Sequence, residues 1–189
     1  DIADYITVNI SSPNTEGLRD FHDQEKLKEL LVDLNKIKKN NKTSIPLLLK
    51  VSPDIKDNHI SEIVDVAIKN DISAIILTNT TNSNKSDLIN SAKKEKGGLS
   101  GKPLEKLSTN LIKKFYKQLN GKIPIIGVGG INSGKSAYEK IIAGATLLQL
   151  YTGLVFKGPL VVRDIKKELI QILKTEGFSN IKDAIGKDV

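Results

Sequence analysis

The stretch Ile123-Pro-Ile-Ile-Gly-Val-Gly-Gly130 carries the pattern that decides the fold of this chain. Its first six residues are uncharged and mostly aliphatic, and the pair Gly129-Gly130 closes it. A short aliphatic run without alternating polar residues is typical of a β-strand buried on both faces. The glycine pair indicates a turn whose backbone can approach a ligand closely, with its N–H groups directed at that ligand.

Four more runs of the same kind occur along the chain, and helical patterns separate them. The five predicted strands are Tyr5–Ile10, Ile45–Val51, Ala74–Leu77, Ile123–Val128 and Thr146–Leu150. Apolar residues at helical spacing predict helices over residues 27–37, 60–68, 104–115, from 136 onward, and 160–174. Gly177 follows the last of these, as expected just beyond a helix C-terminus.

Five strand-then-helix units in succession predict parallel strands joined by helical crossovers. Both an open doubly wound sheet and a (β/α)8 TIM barrel fit this order. A complete barrel needs eight units and about 250 residues, whereas this chain has 189 residues and no methionine, even at position 1. We therefore expect an α/β fold in which residues 1–189 are strands 4–8 of one incomplete TIM-barrel domain, with the natural N-terminus upstream. Such an arc, expressed alone, should aggregate through its bare sheet edges.

The composition narrows the classes of site that the chain can carry. Cysteine is absent, which excludes disulfides, thiolate metal sites and cysteine nucleophiles. We expect both histidines, His22 and His59, to be surface residues rather than metal ligands or catalytic bases. The net charge is +7, but lysines are spread along every predicted helix and aromatic residues make up only 4%. This favours a solvated basic surface over nucleic-acid binding. No stretch approaches the roughly 18 apolar residues of a membrane span.

Polar or glycine residues follow each predicted strand, at the end of a barrel where catalytic groups gather. Taken singly, most such residues are turns or caps. Lys50 differs, because a lysine that ends the buried run Ile45–Leu49 is desolvated unless it meets an anion. The loops after strands seven and eight form the usual phosphate site of such barrels, so we expect Gly129-Gly130 and Tyr151-Thr152 to cradle one phosphate. The long polar stretch Asn82–Lys96 is a candidate lid or binding loop.

Several motifs occur together, in one order and over essentially the whole chain. They are Asn9-Ile-Ser-Ser-Pro-Asn-Thr15, Thr78-Asn-Thr-Thr81, Gly97-Gly-Leu-Ser-Gly-Lys-Pro-Leu104, Pro124-Ile-Ile-Gly-Val-Gly-Gly130, Gln149-Leu-Tyr-Thr152 and Asp183-Ala-Ile-Gly186. This set resembles the class 2, quinone-dependent dihydroorotate dehydrogenases. Class 1 relatives have a cysteine where this chain has Ser12, so the serine favours class 2.

The resemblance implies FMN as cofactor and oxidation of dihydroorotate to orotate in UMP biosynthesis, with a quinone as electron acceptor. Ser12 would be the catalytic base, aided by Thr15 or Thr81, and would take a proton while a hydride passes to the flavin. The implied flavin-binding residues are Asn9, Lys50, Thr78, Gly101, Gly130, Tyr151 and Thr152. The implied substrate-binding residues are Asn9, Asn14, Asn79 and Thr80, whose amide and hydroxyl groups suit a pyrimidine edge. No metal is implied.

The family's first three strands and its N-terminal membrane-facing helical element have no counterpart in these 189 residues. The resemblance implies peripheral attachment to the inner membrane of a bacterium, on its cytoplasmic side, or of a mitochondrion. We expect the isolated chain to be inactive. Two alternatives stay open: another FMN barrel dehydrogenase, linked to NAD or fumarate, and a non-catalytic domain that keeps a flavin-type pocket.

Overall fold

A computed structural model describes residues 2–83, 85–86 and 88–189 of the chain. Its strands are β1 (Ile6–Asn9), β2 (Leu47–Val51), β3 (Ala74–Leu77), β4 (Ile125–Val128) and β5 (Ala145–Gln149). Its helices are α1 (Gln24–Asn40), α2 (Asp57–Lys69), α3 (Glu105–Leu119), α4 (Gly134–Ile142), α5 (Thr152–Lys157), α6 (Val161–Thr175) and α7 (Ile181–Ala184). Short 3-10 helices cover Leu18–His22, Ser91–Lys94 and Lys102–Leu104.

The five strands form one sheet in the order β1-β2-β3-β4-β5, and every neighbouring pair is parallel. A doubly wound sheet reverses its strand order at a switch point, whereas a barrel adds each new strand on the same side. The unreversed order here is that of a barrel arc, which confirms the predicted fold class. All five carboxyl ends lie along one edge, so the loops that follow the strands meet there.

Side chains alternate between the two faces of the sheet, as the two-residue period of a strand requires. On β2, Leu47, Leu49 and Val51 join the main core beneath the helices. Leu48 points to the opposite face, where it packs with Ile76 and Ile126 in a smaller apolar layer. Lys50 lies on that second face, beyond Leu48 toward the carboxyl end of β2, so strand alternation directs it away from the helices.

The predicted strands are confirmed, with ends that differ by up to two residues. The helix predicted from residue 136 begins earlier, because Ser133 is its N-cap and exchanges hydrogen bonds with Ser136 in a capping box. The sequence patterns missed α5 and α7, which are only 6 and 4 residues long and too short to show a period.

The prediction that His22 is a surface residue is wrong: its side chain is 8% exposed, within the packing of the loop after β1. Burial, and the nearby charges of Arg19 and His59, lower the pKa of His22 to about 4. His59 is partly exposed, as expected, and lies beside Glu62 with 3.2 Å between Nδ1 and Oε2.

Apolar side chains are exposed beside the edge strand β5. Leu147 on that strand is 61% exposed, and Val155 and Phe156 on α5 are 65% and 84% exposed. At the other edge, Ile6 on β1 is 46% exposed. Within the part of the chain that the structure describes, no helix has the length and apolar character needed to cross a bilayer.

Candidate active site

A cavity of about 660 Å³ opens at the carboxyl ends of β2 to β5. This volume lies within the range of roughly 300–1,000 Å³ that small-molecule sites occupy. The expected cofactor residues that line it are Lys50, Thr78, Gly101, Gly130, Tyr151 and Thr152, and the expected substrate residues are Asn79 and Thr80. The tips of β2 to β5 therefore converge on one pocket, as the barrel prediction requires.

Lys50 is a cation without a counter-charge in this cavity. It is partly buried, and burial lowers the pKa of its ammonium below the usual lysine value. Among residues 2–83, 85–86 and 88–189, no carboxylate forms an ion pair with it. A desolvated ammonium that faces a cavity is stabilised when an anionic or electron-rich ligand enters.

The glycine pair closes one wall of the cavity, but for a different reason from the one the sequence suggested. Gly130 has φ +76°, and a Cβ built on it would lie 2.4 Å from Cβ and 2.6 Å from Cα of Glu105. Gly129 has φ +122°, and its Cβ would lie 3.0 Å from Ser108 Cβ. The protein's own helix α3, rather than a ligand, therefore forbids side chains at both positions.

The helix behind this wall is held by a buried lysine that the sequence did not single out. Lys140 on α4 has 0% exposure and donates to the Glu105 carbonyl at 2.7 Å and to Thr109 Oγ1 at 2.5 Å. Burial, the larger influence, lowers the pKa of Lys140 to about 8, against the raising effect of nearby carboxylates. A lysine on an amphipathic helix is usually exposed, so no pattern marked it.

The opposite side of the glycine wall is formed by the start of α5. Tyr151 precedes that helix and is 77% exposed, and Thr152 Oγ1 lies 2.8 Å from Ser100 Oγ. A Cβ on Gly101, which has φ +79°, would lie 2.9 Å from the Thr152 methyl group. Ser100, Asn132 and Lys157 also line the cavity without having been predicted.

A network of side-chain hydrogen bonds joins the tips of β1 and β3. Asn79 Nδ2 donates to Ser11 Oγ at 2.9 Å and to Asn9 Oδ1 at 3.4 Å. Ser11 Oγ donates in turn to Asn9 Oδ1 at 2.6 Å. Ser11 is fully buried and orients both asparagines, yet the sequence drew attention only to its neighbour Ser12.

Ser12, Asn9 and Asn14 do not line the cavity, although Asn9 is bonded to Asn79, which does. Ser12 Oγ accepts from the Asn14 backbone N–H at 3.2 Å and from Thr15 Oγ1 at 3.4 Å. Thr81, the other suggested helper, donates its hydroxyl to Asp54 instead. Of the two threonines, Thr15 is the one placed beside Ser12.

The long polar stretch Asn82–Lys96 begins and ends beside this network. Thr81 and Leu99 form an antiparallel bridge across its base, with N–H···O distances of 2.7 and 3.1 Å. Lys85 donates to the Gly97 carbonyl at 2.6 Å. Asn84 and Asp87 of this stretch lie outside the described residues. In the described part of the chain, no group of three or more His, Asp or Glu side chains is arranged to hold a metal ion.

Comparison with known proteins gives a consistent result. The sequence model of the family described as dihydroorotate dehydrogenase matches residues 1–173. The mitochondrial dihydroorotate dehydrogenase (quinone) of Arabidopsis thaliana is 43% identical over 191 residues, covering 98% of this chain and 42% of the relative. Its counterpart in Mus musculus is 46% identical over 191 residues, covering 99% of this chain and 48% of the relative.

Solved structures agree in fold. The chain superposes on the DHODH of Eimeria tenella in complex with ferulenol with a TM-score of 0.92 and 36% identity, covering 98% of this chain and 54% of that one. The ligand-free form from the same organism gives a TM-score of 0.92 at 38% identity, with 98% and 56% covered. The chain spans about half the length of the curated relatives it matches. By sequence and by fold, it belongs to the dihydroorotate dehydrogenase family.

Proposed function

We propose that residues 1–189 are the C-terminal five βα units of an FMN-binding TIM-barrel domain that oxidises dihydroorotate to orotate for UMP biosynthesis and passes the electrons to a quinone. The observation that carries the proposal is the partly buried Lys50, which forms no ion pair with a described residue, in a cavity shared with Asn79, Gly130 and Thr152. Curated relatives that carry the name dihydroorotate dehydrogenase (quinone) support it.

The residues of the cavity suit a flavin mononucleotide. The turn at Gly130, beside Tyr151 and Thr152, would hold the phosphate through backbone N–H groups and the threonine hydroxyl. Lys50 would stabilise the electron-rich edge of the ring, and Thr78 and Gly101 would contact it. When bound, FMN supplies the hydride acceptor that no amino-acid side chain provides.

The asparagines beside the cavity suit a pyrimidine substrate. Carboxamides both donate and accept, so Asn79, Asn9 and Asn14 would pair with alternating ring groups, together with Thr80. Ser11 holds two of these carboxamides in place. A substrate without the matching groups would leave buried polar atoms unpaired, which gives selectivity.

Ser12 would accept the proton that the substrate loses. A serine hydroxyl is a weak base, so its own proton must move to a neighbour as it accepts another. The Thr15 hydroxyl donates to Ser12 Oγ at 3.4 Å, so this hydrogen bond would reverse during the transfer. Ser12 would give its own proton to Thr15 Oγ1, and Thr15 would release its hydroxyl proton to water. The loop of Ser12 would close further over bound substrate, because Ser12 does not line the cavity as it stands.

The proposed electron acceptor also indicates the cellular location of the protein. A serine at position 12 and relatives named as quinone enzymes favour a quinone over NAD or fumarate. A protein that delivers electrons to a membrane quinone would bind peripherally to an inner membrane. In a bacterium this would be the cytoplasmic side of the cell inner membrane, and in a eukaryote it would be the mitochondrial inner membrane.

Anaerobic reduction of bound flavin by dihydroorotate, in the full-length protein, tests the proposal. We expect the flavin absorbance to bleach and then to return on addition of a quinone, but not of NAD⁺ or fumarate. Recovery with NAD⁺ or fumarate would assign the chain to another flavin dehydrogenase. A bound flavin that dihydroorotate does not bleach would leave only a binding domain.

A further inference from the structure

One carboxylate joins the loops that follow β1, β2 and β3. Asp54 lies after β2, and its side chain is only 12% exposed. Its Oδ2 lies 3.2 Å from Arg19 Nη1 in an ion pair and accepts from the Asn82 backbone N–H at 2.9 Å. Its Oδ1 accepts from the hydroxyls of Thr81 and Ser83. Oδ1 therefore has two hydroxyl donors, and Oδ2 has one backbone donor beside the Arg19 guanidinium, so this nearly buried anion is compensated on both oxygens.

Arg19 depends on this carboxylate. It lies in the short 3-10 helix Leu18–His22, in the same loop as Ser12, and its side chain is 28% exposed. Its Nε and Nη2 atoms are buried and have no hydrogen-bond partner among the described residues. Loss of Asp54 would leave a mostly buried guanidinium without a counter-charge, which is strongly unfavourable.

The other donors to Asp54 belong to the tip of β3. Thr81 is two residues beyond Asn79, and its backbone is bridged to Leu99. Next to Leu99, a Cβ on Gly98 would lie 2.9 Å from Pro13 Cγ. The residue after Ser12 therefore rests on the same assembly that Asp54 holds together.

We propose that Asp54 is a positioning residue that couples the Ser12 loop, through Arg19, to the Asn79-bearing tip of β3. The carboxylate keeps the base and the substrate amides in one relative placement. Among the described residues, no hydrogen bond or ion pair of Asp54 reaches the glycine pair that would hold the flavin phosphate, so the phosphate contacts should not depend on it. This inference rests on the proposed function.

The kinetic test compares Asp54→Asn, Arg19→Gln and the double variant in the full-length protein. We expect each single variant to slow flavin reduction at saturating dihydroorotate about tenfold, and the double variant to be no slower than Asp54→Asn, as for two halves of one interaction. Asp54→Glu and Arg19→Lys, which keep the charges, should recover part of the rate. The matched control is Asp57→Asn, which breaks the exposed ion pair with Lys114.

Hydrogen exchange provides a readout that does not need catalysis. In Asp54→Asn and in Arg19→Gln, peptides that cover residues 12–23 and 78–83 should exchange faster than in the wild type, while those over 125–131 should be unchanged. Exchange over residues 12–23 at the wild-type rate in both variants would overturn the coupling. Flavin reduction at the wild-type rate, or additive slowing in the double variant, would also overturn the coupling.

If Asp54→Asn does not fold, the Arg19 variants decide the question. If dihydroorotate does not reduce the flavin of the wild-type protein, the proposed function is refuted. The exchange result would still test the coupling in that case.

Discussion

The two ends of the cavity are built differently. At one end glycines pack directly against helix α3, and at the other end side-chain hydrogen bonds link the strand tips. The first end holds Gly129 and Gly130 at positive φ, with Ser108 behind Gly129 and Glu105 behind Gly130. The second end links Asn9, Ser11 and Asn79 through distances of 2.6 to 3.4 Å.

The difference teaches how each end should respond to substitution. Steric contact with a packed helix leaves no room for adjustment, so the glycine end should fail by losing its ligand. A hydrogen-bond network at a partly exposed strand tip can lose a member while the fold persists. The second end should therefore fail by losing rate. Gly130→Ala and Ser12→Ala test this division, Lys50→Met tests the cation of the cavity, and His22→Gln tests a buried group outside it.

Gly130→Ala should have the largest effect. The new Cβ would lie 2.4 Å from Glu105 Cβ, and the alanine would have to adopt a left-handed backbone conformation. We therefore expect flavin affinity to fall more than 100-fold, equivalent to about 3 kcal/mol or more. Flavin titration of the full-length protein measures this. Gly121→Ala is the matched control, because Gly121 has φ +74° and nothing within 4 Å of its Cβ. Equal loss of flavin in both variants would mean that backbone strain, not the contact with α3, sets the requirement.

Ser12→Ala should keep flavin bound and slow flavin reduction by roughly 100-fold, the usual scale for a lost general base. Stopped-flow absorbance under anaerobic conditions gives the rate, and the ratio of flavin to protein reports binding. Ser61→Ala on α2 serves as the control, since among the described residues the one hydrogen bond of that hydroxyl is to the Asn58 carbonyl. Reduction at wild-type speed would remove Ser12 from the role of base.

Lys50→Met should have a smaller effect, and it should change both flavin affinity and the stability of the flavin-free protein. We expect flavin affinity to fall about tenfold, equivalent to about 1.4 kcal/mol, because the ligand loses the cation that β2 presents to the cavity. The flavin-free protein should melt higher than wild type, since a desolvated charge without an ion pair is gone. Exposed Lys69→Met should change neither quantity. A lower melting temperature of the flavin-free Lys50→Met protein would show that Lys50 stabilises the fold.

His22→Gln should have no effect on turnover near pH 7.5 but should change the pH dependence of stability. Burial, then Arg19 and His59, hold the folded-state pKa of His22 at about 4, below its ordinary 6.5. As the pH falls through this interval the unfolded chain binds the proton first, so stability is lost with a slope of at most about 1.4 kcal/mol per pH unit. Thermal unfolding between pH 7 and pH 4 should show a shallower decline in His22→Gln. Parallel curves for both proteins would show that His22 is not the group that titrates.

Much of the fold could be read from local patterns. Strand Ala74–Leu77 was predicted to the residue, because four consecutive aliphatic residues are flanked by polar ones. Helix Val161–Thr175 was predicted within one residue at each end, because Val161, Ile165 and Leu169 repeat on one face. Helix α5 was missed because six residues are fewer than two turns and show no period.

The site was predicted in part for the same reason. Lys50 lies near the carboxyl end of its strand, and Thr78 and Gly130 come within two residues after theirs, so strand order alone placed them at one edge. Ser11, Asp54 and Lys140 were missed because their importance lies in contacts with residues 27 to 68 positions away. His22 was misplaced because its neighbours, Phe21 and Asp23, form no periodic pattern that would indicate burial.

By itself the amino-acid sequence determined which segments become strands and helices, and that five parallel strands present their carboxyl ends together. Those outcomes depend on residues close along the chain, whose periodicity reflects backbone geometry. Only the tertiary structure decided which glycine presses on Glu105, which threonine lies beside Ser12, and which carboxylate pairs with Arg19. Those contacts join distant segments, and packing at near-crystalline density selects among many pairings that the sequence alone would allow.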